Sequence, residues 1–258
     1  MRDYVVNLNM QFVETSNCLI ERIEAAASHG FGHVEFWRWQ ELDLDALAGM
    51  VSRTGVAVES FVVDWVAPLT DPQRHSDYVL SWERSLRLAE RLHTRQLILA
   101  LGDVNPALDE AGHLQVLSDI LGRLAPQAQD AGLTLLIEPV NTLVDHPGTW
   151  LESTEKAFQL IDAVGAPSLK LLLDIYHLTI SGENLSAILQ ERAGDVGYVQ
   201  LADAPGHGEP GAGKIDWRSV CRLLSDAGLA SRIGLEFAPR GPSEASLRRS
   251  IAFLDQYW

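Results

Sequence analysis

The stretch Leu171-Leu-Leu-Asp174-Ile-Tyr-His177 decides how this chain is read. Three consecutive leucines, preceded by Leu169-Lys170, predict a strand buried on both faces, and such strands belong to parallel sheets covered by helices. An acid and a histidine follow the apolar run directly. An unpaired carboxylate at the end of an apolar strand is costly to bury, so a cation, a metal or a set of donors must compensate it. The same ending recurs on three further strands, and the recurrence carries the functional reading.

Outward from that stretch, strand and helix patterns alternate along the whole chain. Tyr4 to Asn9 alternates apolar and polar residues with Asn7 and Asn9 on one face, and Ser16 is expected to cap the helix that follows, through about His29. His33 to Trp37, Val56 to Val63 and Gln96 to Leu101 predict strands two to four. The helices after them run from about Asp43 to Arg53, from Pro72 to Leu92, and to near Gly132. Thr134 to Pro139, Gly197 to Ala202 and Ile233 to Phe237 predict strands five, seven and eight. Helical patterns follow from Ser153 to Val164, Leu185 to Ala193, Trp217 to Ala227 and Ser243 to Tyr257. Eight strands alternating with eight helices in 258 residues predict one (β/α)8 TIM barrel over residues 1–258. The alternative is a doubly wound open sheet, but no G-x-G-x-x-G follows the first strand to support a dinucleotide fold.

A formal net charge of -15 disfavours a nucleic-acid partner, because Arg248-Arg249 is the nearest approach to a basic cluster. Cys18 and Cys221 lie far apart, which suggests neither a disulfide framework nor a zinc knuckle. No apolar run approaches the roughly 20 residues that span a bilayer, and Met1-Arg2-Asp3-Tyr4 leads straight into a strand pattern, so no membrane and a cytoplasmic location are expected.

In a barrel of this kind, polar residues at the C-terminal strand ends read as chemistry. Glu138, Asp174, Gln200 and Glu236 each follow an apolar run, on strands five to eight in succession. With a side-chain period of two they share faces with Leu136, Leu172, Tyr198 and Gly234, so all four fit an inward register. Three carboxylates crowded together cannot all stay ionised without a cation. Three carboxylates and an amide oxygen form a hard donor set, which predicts Mg2+ or Mn2+ rather than zinc.

These residues carry a family resemblance. Ile137-Glu138-Pro139-Val140-Asn141-Thr142, Asp174-Ile-Tyr-His177, the loop from Gln200 to Pro210 and Gly234-Leu-Glu236-Phe-Ala-Pro239 resemble the corresponding segments of hydroxypyruvate isomerases. Those belong to the xylose-isomerase-like TIM-barrel sugar isomerases and epimerases. The resemblance runs end to end, including Glu35-Phe-Trp37, and is most specific over residues 134–239. It implies a divalent metal held by Glu138, Asp174, Gln200 and Glu236, with Glu138 and Glu236 also serving as the acid/base pair. Gln200 sides with the hydroxypyruvate isomerase branch, since many ketose epimerases have histidine there. His207-Gly208 departs from that branch, which has an arginine-histidine pair before the residues matching Glu209-Pro210, and this leaves the substrate open.

The expected reaction is isomerisation of hydroxypyruvate to tartronate semialdehyde through an enediolate. A ketose 3-epimerase, an oxo-sugar isomerase and a beta-eliminating lyase are alternatives on the same site; a DNA-repair nuclease and a non-catalytic sugar- or partner-binding barrel are more distant. Candidate substrate-binding residues are His177, His207, Trp37, Asn7 and Glu209, with Glu35, Arg38, Trp39 and Trp65 weaker ones. Glu209 is alternatively expected to orient the loop or His177. Lys170 and Arg232, at strand starts, are expected to be structural. A homodimer or homotetramer is expected.

Overall fold

The computed structural model describes residues 2–258. Its strands are β1 (Asp3–Asn7), β2 (His33–Phe36), β3 (Ala57–Val62), β4 (Gln96–Leu99), β5 (Thr134–Ile137), β6 (Leu169–Asp174), β7 (Val196–Leu201) and β8 (Arg232–Leu235). They pair in parallel in sequence order, and β8 closes on β1, so the open-sheet alternative is excluded. Among the described residues nine α-helices surround the strands: α1 (Leu19–Ser28), α2 (Leu44–Thr54), α3 (His75–Leu92), α4 (Glu110–Asp130), α5 (Thr154–Val164), α6 (Ile175–Ser181), α7 (Leu185–Arg192), α8 (Trp217–Asp226) and α9 (Ser243–Leu254).

Period-two alternation divides the apolar side chains between two layers. Val5, Ile98, Leu136, Leu172 and Tyr198 form a cluster inside the barrel, with Val62 against it. The intervening positions, among them Val6, Leu97, Leu135, Leu171 and Leu173, pack outward against the helices. Leu136, Leu172 and Tyr198 are the residues predicted to share faces with Glu138, Asp174 and Gln200, so that register is the observed one. A plug of packed side chains therefore forms a floor, and the next inward position on each strand opens above it.

Local chemistry sets the helix ends. Asp43 accepts from Asp45 N and Ala46 N to cap α2, and Gly55 ends it at φ 71°, where a side chain would be strained. Two expectations are corrected. Ser16 does not cap α1; the cap position is Cys18, and Ser16 Oγ, two residues earlier, accepts from Cys18 N at 2.9 Å. The ninth helix is α6, which starts directly after β6 because Asp174 serves as its N-cap. No helix among the described residues is long and apolar enough to cross a membrane.

Candidate active site

The ends of β5, β6, β7 and β8 bring Glu138, Asp174, Gln200 and Glu236 to one rim, beside a cavity of about 1320 Å3 that Glu138, His177, His207 and Glu236 line. Asp174 is 2% exposed and divides its two oxygens between separate tasks. Oδ1 accepts from Tyr176 N at 2.6 Å and His177 N at 3.1 Å, capping α6. Oδ2 is buried without a hydrogen-bond partner. Burial raises its pKa to about 7, against the pull of the two backbone donors.

Glu138 and Glu236 carry the same strain further. Burial holds Glu138 well above the ordinary carboxylate range, and the charges of Asp174 and Glu35 add to it. Glu236 is raised by burial and then by Glu138, Glu35 and Asp174, although its Oε2 accepts from Asn7 Nδ2 at 3.0 Å and from Gln200 Nε2. Gln200 donates Nε2 also to Glu35 Oε1 at 2.7 Å, while its Oε1 is buried without a partner. Two buried oxygens, Asp174 Oδ2 and Gln200 Oε1, thus lack any donor among the described residues, amid carboxylates that repel one another. That donor set fits a divalent cation, which would satisfy both orphaned oxygens and the excess charge.

His177 stands on α6 with its Nε2 3.9 Å from Glu138 Oε1. Ligand atoms of Glu138, Asp174 and His177 lie within 4.8 Å of one another, a grouping that could itself hold a metal. The tautomer argues for another role. Asn141 donates to His177 Nδ1 from its backbone N at 3.2 Å and its side-chain Nδ2 at 2.7 Å. The Asn141 amide cannot be reversed, because its Oδ1 accepts from Val144 N and Asp145 N. Nδ1 is therefore an acceptor, so the neutral ring carries its proton on Nε2 and presents a donor, with no lone pair for a cation. Burial, with His207 and His146 adding to it, lowers the pKa to about 3 and keeps the ring neutral near pH 7.

The remaining candidates divide. His207 lines the cavity, stacks on Tyr176 with ring centroids 4.2 Å apart, and has a buried Nε2 without a partner. Trp37 and Arg38 also line the cavity, as does Trp65, which is 56% exposed. Trp39 lines it too but is packed at 1% exposure, its Nε1 donating to Val62 O at 2.9 Å. Asn7 lies below the cavity, supporting Glu236. Glu209 is turned away from it: Arg249 Nη2 donates to its Oε1 at 2.9 Å and Arg240 N at 2.8 Å, so it ties the loop after β7 to α9 and touches neither His177 nor the cavity. Of the expectations for Glu209, orienting the loop is the one observed, and no hydrogen bond joins it to His177 among the described residues. Sequence reading gave no role to Asn141, Tyr198 or Asp145. Asn141 and Tyr198 stood in quoted segments, but their partners lie 36 and 163 residues away in sequence, beyond any local pattern.

Residues 23–257 match the model of the family described as xylose isomerase-like TIM barrel. The chain belongs to that family. A hydroxypyruvate isomerase of Escherichia coli (strain K12) is 28% identical over 96% of this chain and 98% of its own length. A 2-oxo-tetronate isomerase of Cupriavidus necator is 28% identical over 96% of each chain. Among solved structures, that of an AP endonuclease, family 2, from Brucella melitensis superposes with a TM-score of 0.90 at 26% identity, covering 98% of this chain and 99% of that one.

Proposed function

We propose that this family member is a divalent-metal-dependent isomerase of the aldose-ketose type, acting on a small hydroxy-carbonyl acid, with hydroxypyruvate to tartronate semialdehyde as the best-supported reaction. The observation that carries the reading is the pair of orphaned buried oxygens on Asp174 and Gln200 between two glutamates whose pKa values are pushed up. Glu138, Asp174, Gln200 and Glu236 would hold the cation, with Mg2+ or Mn2+ matching the oxygen donors. When bound, the cation supplies Lewis acidity to the substrate carbonyl and counter-charge for the enediolate.

The protein's own groups manage the protons. One of Glu138 and Glu236 removes a proton from C3 of hydroxypyruvate, and a proton is delivered to C2, while the hydroxyl proton passes from the C3 oxygen to the C2 oxygen. Both glutamates line the cavity, which suits them to exchange protons with a substrate held there. His177 Nε2–H, close to Glu138, donates to a substrate oxygen where negative charge develops. Trp37 and Trp65 line the cavity above and exclude water. Arg38 lines the same cavity and forms no ion pair among the described residues, which leaves its guanidinium available to a substrate carboxylate.

A second reading is isomerisation of a longer 2-oxo acid. A cavity of about 1320 Å3 exceeds what a three-carbon acid fills, and the family relative named for 2-oxo-tetronate supports it. The test is a panel of short hydroxy-oxo acids, longer 2-oxo acids and ketohexoses, assayed with Mg2+ or Mn2+ and after chelation. Metal-dependent isomerisation of an acid is expected. Epimerisation of ketohexoses with no acid turned over, or cleavage into two products, would overturn the proposal.

A further inference from the structure

A fourth carboxylate lies beneath the proposed ligands, and the chemistry above does not use it. Glu35 is 1% exposed; along β2 its neighbours Val34 and Phe36 pack outward and Glu35 points into the barrel. The pairing of β2 with β3 shifts register at this point, skipping Glu59 and setting Ser60 opposite Glu35. Glu35 Oε1 accepts from Gln200 Nε2 at 2.7 Å and Asn7 Nδ2 at 3.3 Å, and Oε2 accepts from Tyr198 OH at 2.8 Å and Ser60 Oγ at 3.1 Å. Gly234 makes room for this network. A Cβ there would lie 2.7 Å from Gln200 Cγ, 2.8 Å from Tyr198 OH and 3.3 Å from Glu35 Oε1.

Gln200 has an amide with two unlike ends, and only the oxygen end serves a cation. Around and below it, Asn7 Nδ2, Tyr198 OH and Ser60 Oγ are all donors to Glu35. Glu236 Oε2 also accepts from Gln200 Nε2, but it belongs to the proposed ligand set; without Glu35 as acceptor the donors below would compete to draw the amide oxygen down and turn the nitrogen upward. We propose that Glu35 is a positioning residue that fixes the direction of the Gln200 amide, so that Oε1 and not Nε2 faces the cation. This rests on reading Gln200 as a ligand.

The test is Mn2+ titration of metal-stripped full-length protein, followed by electron paramagnetic resonance, with thermal melting in parallel. Glu35→Met removes the acceptor and is expected to weaken Mn2+ binding by about 10–100-fold, the usual cost of losing a group that orients a ligand. Glu35→Gln is expected to lose less than that, because its oxygen faces Gln200 and Asn7 while its amide nitrogen donates to the hydroxyls of Tyr198 and Ser60. Gly234→Ala presses on the same network without removing a polar group, and it is expected to weaken binding too, which gives a readout if Glu35→Met does not fold. Wild-type affinity in Glu35→Met or, failing its folding, in Gly234→Ala would overturn the proposal. Equal losses in Glu35→Gln and Glu35→Met would overturn it in favour of charge. A wild-type protein that binds no Mn2+ would instead sink the reading of Gln200 as a ligand.

Discussion

At the N-terminal end of the barrel, Glu59 accepts from Arg232 at 2.9 Å and lies 2.6 Å from His33 Nδ1, and Asp195 accepts from Arg192 at 2.6 Å. At the C-terminal end of the barrel, Glu138, Asp174 and Glu236 form no ion pair with lysine or arginine among the described residues. One end neutralises its acids and anchors strand starts; at the other Asp64 pairs with Arg84 at 3.0 Å, but Glu138, Asp174 and Glu236 keep like charges crowded together. Such an arrangement is unfavourable for the bare fold and is kept where a ligand will relieve it.

Neutralising one acid at the crowded end should give the largest effect. Glu138→Gln and Glu236→Gln are expected to lower kcat/KM by at least about 10^2–10^4-fold. Circular dichroism should show an unchanged fold, with a melting temperature no lower for the metal-free protein. Near-normal turnover in both variants would end the acid/base assignment. Less severe is the loss of the donor beside them: His177→Phe is expected to cost about 10^2–10^3 in kcat with a smaller change in KM. An effect on KM alone would make His177 a binding group only.

The same contrast has a pH signature. Burial raises Asp174 from an ordinary 3.8 to about 7 in the folded state, so the metal-free fold binds more protons than the unfolded chain between those values. The stability of the metal-free protein relative to Asp174→Asn should therefore fall as pH rises from about 4 to about 7, measured by denaturant unfolding of both. A rise over that window would show the site acids to be already compensated. At the paired end, Glu59→Gln should cost about 1–3 kcal/mol of stability by unhitching Arg232 and His33, with kcat unchanged. A loss of turnover there would erase the division between the two ends.

How far this was legible in the sequence follows from what kind of pattern each feature leaves. Leu171-Leu-Leu-Asp174 and the matching runs on β5, β7 and β8 carry a period of two, so the inward register of the four oxygen donors could be read directly and is the one found. The short helix α6 left no periodic trace, because seven residues make barely two turns and Asp174 both ends a strand and caps the helix. The seat of His177 on Asn141 and of Gln200 on Glu35 depends on pairs 36 and 165 residues apart in sequence, the first joined by the pairing of β5 with β6 and the second only by barrel closure. That Glu209 orients its loop through a distant arginine, and not through His177, was hidden for the same reason. Its partner Arg249 lies on the last helix, and a loop acid beside a histidine looks the same in sequence whether it faces substrate or a distant arginine.

The most direct measurement is calorimetric titration of the metal-stripped protein with Mn2+. One ion bound per chain is predicted, with affinity weakened by about 10–100-fold or more in Asp174→Asn. Absence of saturable binding, or an Asp174→Asn variant that binds as tightly as the native chain, would contradict a cation gathered by these four side chains.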